Sequence, residues 1–241
     1  LQKLTIKDIV NVHMLLNPYA LVLGVAGKIN SEQVLVHVDK FTKNWNQTIT
    51  YEPKVLPKPS LDSIDNSDLQ LLRDQVFLLY GAPAEININT VELPMITLAN
   101  FIIFYGLGSR LYNVREQTGL FYSITGSFAG SANKVFSFNY VSTLLGHANL
   151  NEAETLIKGV LESTLQGDFS VEEINAAKQT YANILVDMFC YNGPLINTFV
   201  SLAARDLPFD FYKKVWMAIK KADSDSIKYA LQKWISLDDF K

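Results

Sequence analysis

Apolar residues are spaced along this chain in three ways: helical spacing, strict alternation and unbroken runs. Residues 4–14 place Ile6, Ile9, Val10 and His13 near helical spacing behind Thr5, which predicts a helix capped by Thr5 and ended by Asn17-Pro18. Residues 19–26 (YALVLGVA) are continuously apolar, as in a strand buried on both faces. Residues 27–30 form a turn, and Ser31 is the expected cap of a helix over 32–45. That helix carries Val34, Leu35, Val38, Phe41 and Trp45 on one face. Residues 46–66 hold Pro53, Pro57 and Pro59 among polar residues and read as a mobile loop or linker. A strand is predicted over 70–80, a break at Gly81-Ala82-Pro83, and an apolar helix over 90–104 with Pro94 in its first turn.

Gly106 and Gly108 end that helix. A short helix over 108–117 follows, stopped by Gly119. Strands over 122–130 and 134–143 are expected to pair about a turn at 130–133. Phe136, Phe138 and Tyr140 alternate there with Ser137 and Asn139, the period of a half-buried strand. From 148 onward the pattern is helical: 149–166, then 170 to about 191, then 195–205, 208–220 and 224–236. Ser170 and Glu173 have capping-box spacing, Asn192-Gly193-Pro194 is the expected break, and Asp223 or Ser224 caps the last helix. No internal repeat is present. Helices against a mostly antiparallel sheet make the fold class α+β, an αβ sandwich.

Composition narrows the function. The chain has 241 residues, enough for one large domain or two small ones, and 49% of them are hydrophobic, ample for a core. A net charge of −3 without a basic stripe argues against nucleic acid. The single Cys190 excludes an internal disulfide and a cysteine-rich zinc site. No apolar run reaches the ~20 residues of a membrane helix, and no signal peptide is visible. The expectation is a soluble chain whose compartment stays open, the cytoplasm included. Because it begins at Leu1 rather than Met, it is read as a processed or excised piece.

The chemistry concentrates in residues 108–124, GSRLYNVREQTGLFYSI. Arg115 lies near the end of the short helix and Tyr122 on the next strand, so one turn can bring a fixed cation and a phenol to one cleft. Both donate hydrogen bonds, which suits a carbonyl oxygen. Each residue also has a structural reading. Cations favour helix C-termini, and a strand tyrosine is commonly half-buried with a wet hydroxyl. Arg110 is open between an ion pair and a cleft residue. Glu172-Glu173 reads as an acidic pair at a helix start. Gly24 to Gly27 follows a predicted strand but lacks the spacing of a phosphate loop. His13, His37 and His147 have no second ligand at metal-binding spacing, and a catalytic zinc needs about three.

The segments PYALVLGVAG at 18–27, GLGSRL at 106–111, REQTGLFYSI at 115–124 and GDFSVEEINAAK at 167–178, in this order in the chain and with this spacing, resemble the insulinase/pitrilysin family of zinc peptidases. The resemblance spans nearly the whole chain. It implies a single metallopeptidase-like (LuxS/MPP-like) domain over residues 1–241, of the kind that follows the metal domain within one half of the molecule. The Arg115/Tyr122 pair points to the C-terminal half. The family's inverted His-x-x-Glu-His motif is missing, so the resemblance implies no catalytic residue and no bound cofactor in this chain, with zinc in a partner domain. It also implies that Arg115 and Tyr122 hold the backbone of a peptide substrate. The implied partners are the peptide and a zinc-bearing half or subunit, with homo-oligomerisation also open. Family members continue with a further strand beyond residue 241, in keeping with an excised domain. The alternative is a non-catalytic scaffold subunit of the same fold. A nucleotide-binding αβ domain is a remote third reading, disfavoured by the missing phosphate motif.

Overall fold

A computed structural model describes residues 3–14, 21–45, 74–129 and 137–241. In chain order the elements are α1 (Ile6–His13), α2 (Ser31–Thr42), β1 (Gln75–Ala84), α3 (Leu93–Ile103), α4 (Arg110–Thr118), β2 (Phe121–Ser127) and β3 (Ser137–Gly146). They continue with α5 (Leu150–Leu165), α6 (Val171–Cys190), α7 (Asn192–Ala204), α8 (Phe211–Lys221) and α9 (Ser224–Trp234). Contacts divide the chain into two units. One holds residues 1–57 with 187–209, the other residues 58–186 with 210–241.

In the first unit, Thr5 caps α1 as its side chain predicts, and Asp8 bonds back to the Thr5 N–H at 2.8 Å to complete a capping box. The α2 cap is Asn30 rather than Ser31. The Asn30 carboxamide oxygen reaches the N–H groups of Glu32 (2.9 Å) and Gln33 (3.2 Å), which leaves Ser31 as the first helical residue. The expected strand over 19–26 is not observed. Residues 21–26 are irregular, most of them exposed, and no described residue gives them a ladder partner; residues 19 and 20 lie outside the described set. The run packs instead against α7. A Cβ on Gly24 would fall 2.5 Å from Val200 Cγ2 and 2.7 Å from Ile196 Cγ2, so only glycine permits this approach. Leu21, Leu23 and Val25 line an apolar hollow of about 350 Å³ with Val34, Val38, Phe41 and Trp45, the face predicted for α2; Leu35 is exposed and off that hollow. The predicted loop at 46–66 and turn at 130–133 lie outside the described residues.

In the second unit, the described strands form an antiparallel sheet in the order β1-β3-β2. β1 runs through the predicted break. The Gly81 N–H donates to the Lys241 carbonyl at 3.0 Å, and the Lys241 N–H donates back at 3.0 Å, so Gly81 faces away from β3. Pro83, two residues on, shares that outer edge, and its missing N–H removes nothing from the β1–β3 ladder. β3 alternates as expected, but the buried set is Ser137, Asn139, Val141, Thr143 and Leu145, while Phe138 and Tyr140 stack on the opposite face. The polar members of the buried set include paired ones. Asn139 Oδ1 accepts from the Ala129 N–H at 2.9 Å, which holds Ala129 in a left-handed conformation (φ 59°). Thr143 Oγ1 donates to the Ser123 carbonyl at 2.7 Å.

The core joins this face (Val141, Leu145) to Ile96, Ile102 and Ile103 of α3, Ile157 and Leu161 of α5, Ile174 and Ala177 of α6, Ile219 of α8, and Ile227 and Leu231 of α9. Each of these sets follows helical spacing, which is why α5, α6 and α9 appear where the sequence places them. Pro94 lies in the first turn of α3, where no N–H partner is lost. Asn100, also on α3, is buried yet satisfied: it donates to the Phe128 carbonyl and accepts from the Phe128 N–H, both at 2.8 Å.

Candidate functional site

α4 is anchored at its start. Arg110 forks onto Glu173, with Nε to Oε1 at 2.7 Å and Nη2 to Oε2 at 2.9 Å. Its Nη1 reaches the Thr164 hydroxyl at 3.3 Å, Nη2 also donates to the Asp168 carbonyl, and the guanidinium lies 5.1 Å from the Phe169 ring centre. Arg110 is thus the ion-pair residue of the two readings open to it. Glu173 closes the predicted capping box by accepting from the Ser170 N–H at 2.9 Å. The Arg110 bonds above all hold its carboxyl below the ordinary glutamate value; the Ser170 N–H adds to that, and burial opposes it.

Leu111 and Val114 turn α4's apolar face to the core, which leaves Arg115 at the rim. The helix ends at Gly119, whose left-handed backbone (φ 65°) lets its N–H close on the Arg115 carbonyl at 2.9 Å. The chain then enters β2 at Phe121, which is buried and pairs with Leu145. Ser123 pairs with Leu144, so the register shifts and Tyr122 is the extra residue of a β-bulge. The bulge leaves Tyr122 74% exposed.

Arg115 and Tyr122, the two predicted site residues, line the same open groove of about 540 Å³. Arg115 Nη1 contacts its neighbour Glu116 at 3.1 Å, and its guanidinium lies 5.6 Å from the Tyr112 ring centre. Its Nε is buried without a hydrogen-bond partner among the described residues, a costly arrangement for a donor. The groove also takes in Gln75 from the start of β1, and Leu145, Gly146 and Asn149 from the end of β3 and the residues that follow. Sequence reasoning did not single out Gln75 or Asn149. They are far from residues 115–122 in the chain, and the Gln75–Gly146 register is what brings them to the groove. Nothing local marks either residue.

Among the described residues no group of three or more His, Cys, Asp or Glu is placed to hold a metal ion. His13, His37 and His147 do not converge with carboxylates, so these residues do not fit a catalytic zinc.

The fold and this groove define a helix-covered antiparallel sheet with no metal-ligand cluster among the described residues. The family described as "Peptidase M16 inactive domain" matches residues 4–181, most of the chain, and the chain belongs to that family. A curated relative, "Non-peptidase homolog YmxG" of Helicobacter pylori, is 27% identical over 150 residues, which cover 59% of this chain and 34% of the relative. The solved structure of a protease from Helicobacter pylori is 14% identical with a TM-score of 0.81, covering 99% of this chain and 58% of that one. The peptidase M16 inactive domain from Pseudomonas fluorescens is 19% identical with a TM-score of 0.61, covering 69% of this chain and 39% of that one. At these identities the two structures show the fold. The chain spans about a third of the curated relative's length and from about two-fifths to three-fifths of these structures.

Proposed function

We propose that this inactive peptidase domain grips the backbone of an extended peptide in the groove between α4 and the end of the sheet. In this reading Arg115 and Tyr122 donate to peptide carbonyls, and the chemical step belongs to a zinc-bearing half or subunit. The observation that carries the proposal is the placement of Arg115: its guanidinium lines an open groove together with a tyrosine that a bulge leaves exposed. Peptide carbonyls are acceptors that suit a guanidinium and a phenol donating into one groove.

The test is fluorescence polarisation of a labelled, C-terminally amidated octapeptide against the chain and its Arg115→Ala and Tyr122→Phe variants. A hydrogen bond to a charged group contributes about 1.5–3 kcal/mol. At a partly exposed site the lower end applies, so Arg115→Ala should weaken binding about tenfold at unchanged melting temperature. Absence of binding by the wild-type chain, or equal binding by both variants, refutes the assignment.

The second reading is a non-catalytic scaffold. The name of the Helicobacter pylori relative favours it, as does the contact of Arg115 with its own neighbour Glu116. Scaffold behaviour predicts no peptide binding at the groove.

A further inference from the structure

We infer that Gln75 and Asn149 form a second backbone-reading station in this groove, with Gln75 about three peptide residues from the strand of Tyr122. The inference rests on the peptide-binding reading above.

It starts from chemistry. A peptide backbone presents a carbonyl and an N–H at every residue, whereas an arginine can only donate and so reads carbonyls alone. Gln and Asn side chains carry a donor and an acceptor in the geometry of a peptide group, and they can meet both. Both residues line the groove, and neither side-chain amide makes a hydrogen bond among the described residues. Asn149 is the residue preceding α5, a position where Asn commonly caps a helix, yet its side chain makes no capping bond there. Among the described residues its amide therefore has no structural partner to give up. Gln75 begins β1, and the His147 N–H donates to the Asp74 carbonyl at 3.2 Å, which fixes this end of β1 beside the turn that leads to Asn149.

Sheet order sets the span. Gln75 on β1 pairs with Gly146, and Phe121 on β2 pairs with Leu145, so β3 lies between Gln75 and the strand that carries Tyr122, while Asn149 follows the end of β3. Two inter-strand spacings come to about 10 Å, and an extended chain rises about 3.4 Å per residue. A peptide crossing the end of the sheet therefore uses about three residues between Gln75 and the strand of Tyr122. A dipeptide is too short to span from Tyr122 to Gln75, and an octapeptide is long enough.

The experiment compares labelled, amidated dipeptide and octapeptide of one sequence on wild type, Gln75→Ala, Asn149→Ala and their double variant. The double variant should lose about tenfold in octapeptide affinity and leave dipeptide affinity within twofold. Arg115→Ala should weaken both. The isosteric pair Gln75→Glu and Asn149→Asp keeps the shape and removes the donors, and it should weaken the octapeptide even if the alanine variants fold poorly. Octapeptide affinity within twofold of wild type in both sets overturns the inference and leaves the Arg115 reading standing. Loss with Gln75 and Asn149 variants but none with Arg115→Ala overturns the underlying reading instead. A free-acid octapeptide binding tenfold more tightly than its amide means that the groove reads a chain terminus, which also overturns the inference.

Discussion

Replacing Arg110 by alanine should destabilise the second unit by about 2–3 kcal/mol. Removing one partner of a buried ion pair costs about 3–5 kcal/mol, because the remaining charge is stranded. Here the Arg110 side chain is 15% exposed and that of Glu173 is 30% exposed, so water recovers part of the cost for Glu173. For a unit of this size the loss corresponds to a melting point about 5–10 °C lower. Glu173→Gln separates charge from shape, since glutamine also completes a capping box with Ser170. A double-mutant cycle of Arg110→Ala and Glu173→Gln, followed by urea unfolding, isolates the pair. Its pH dependence has a definite sign. The folded carboxyl of Glu173 sits below its ordinary 4.5, so the pair's contribution is complete above that value and is lost as pH falls through the depressed folded value. The difference between wild type and Glu173→Gln should accordingly shrink on acidification. A change under 0.5 kcal/mol for Arg110→Ala, or a coupling that grows as pH falls, refutes the reasoning.

Other outcomes follow from the same contacts. The isolated chain with added zinc should not cleave fluorogenic peptides; chelator-sensitive turnover that survives purification controls contradicts this. Glu116→Gln frees Arg115 from an exposed pair worth about 0.2–1 kcal/mol, so octapeptide affinity should rise, by no more than about fivefold; a fall means that Glu116 itself contacts the peptide. Asn100→Leu strands the buried Phe128 N–H and carbonyl at about 1–3 kcal/mol each, which urea titration should report as a loss of several kcal/mol.

Much of the second unit was legible because its signals are local. Capping residues and apolar spacing placed α5, α6 and α9 within a few residues, and the glycine after Thr118 marked the end of α4. Residues 21–26 departed from the expected strand because continuous apolarity reports packing, whereas a strand also needs a ladder partner, which no described residue supplies. Ser31 and Asn30 are both good caps, and side-chain reach decides between them. The break expected at Gly81-Ala82-Pro83 ignored which edge the proline would occupy. Arg115 and Tyr122 were visible as a pair seven residues apart. Gln75 and Asn149 were not, because strand register, a long-range property, brings them to the groove.

The bulge at Tyr122 also bears on how this surface can evolve. In a regular strand a change at one position is constrained by its partner across the ladder. Tyr122 has no such partner: Phe121 and Ser123 keep their pairings with Leu145 and Leu144 on either side of it. Selection can therefore vary position 122 with little effect on folding, while the buried neighbours preserve the scaffold. If the groove holds a peptide as proposed, ligand preference and foldability are separable at this residue.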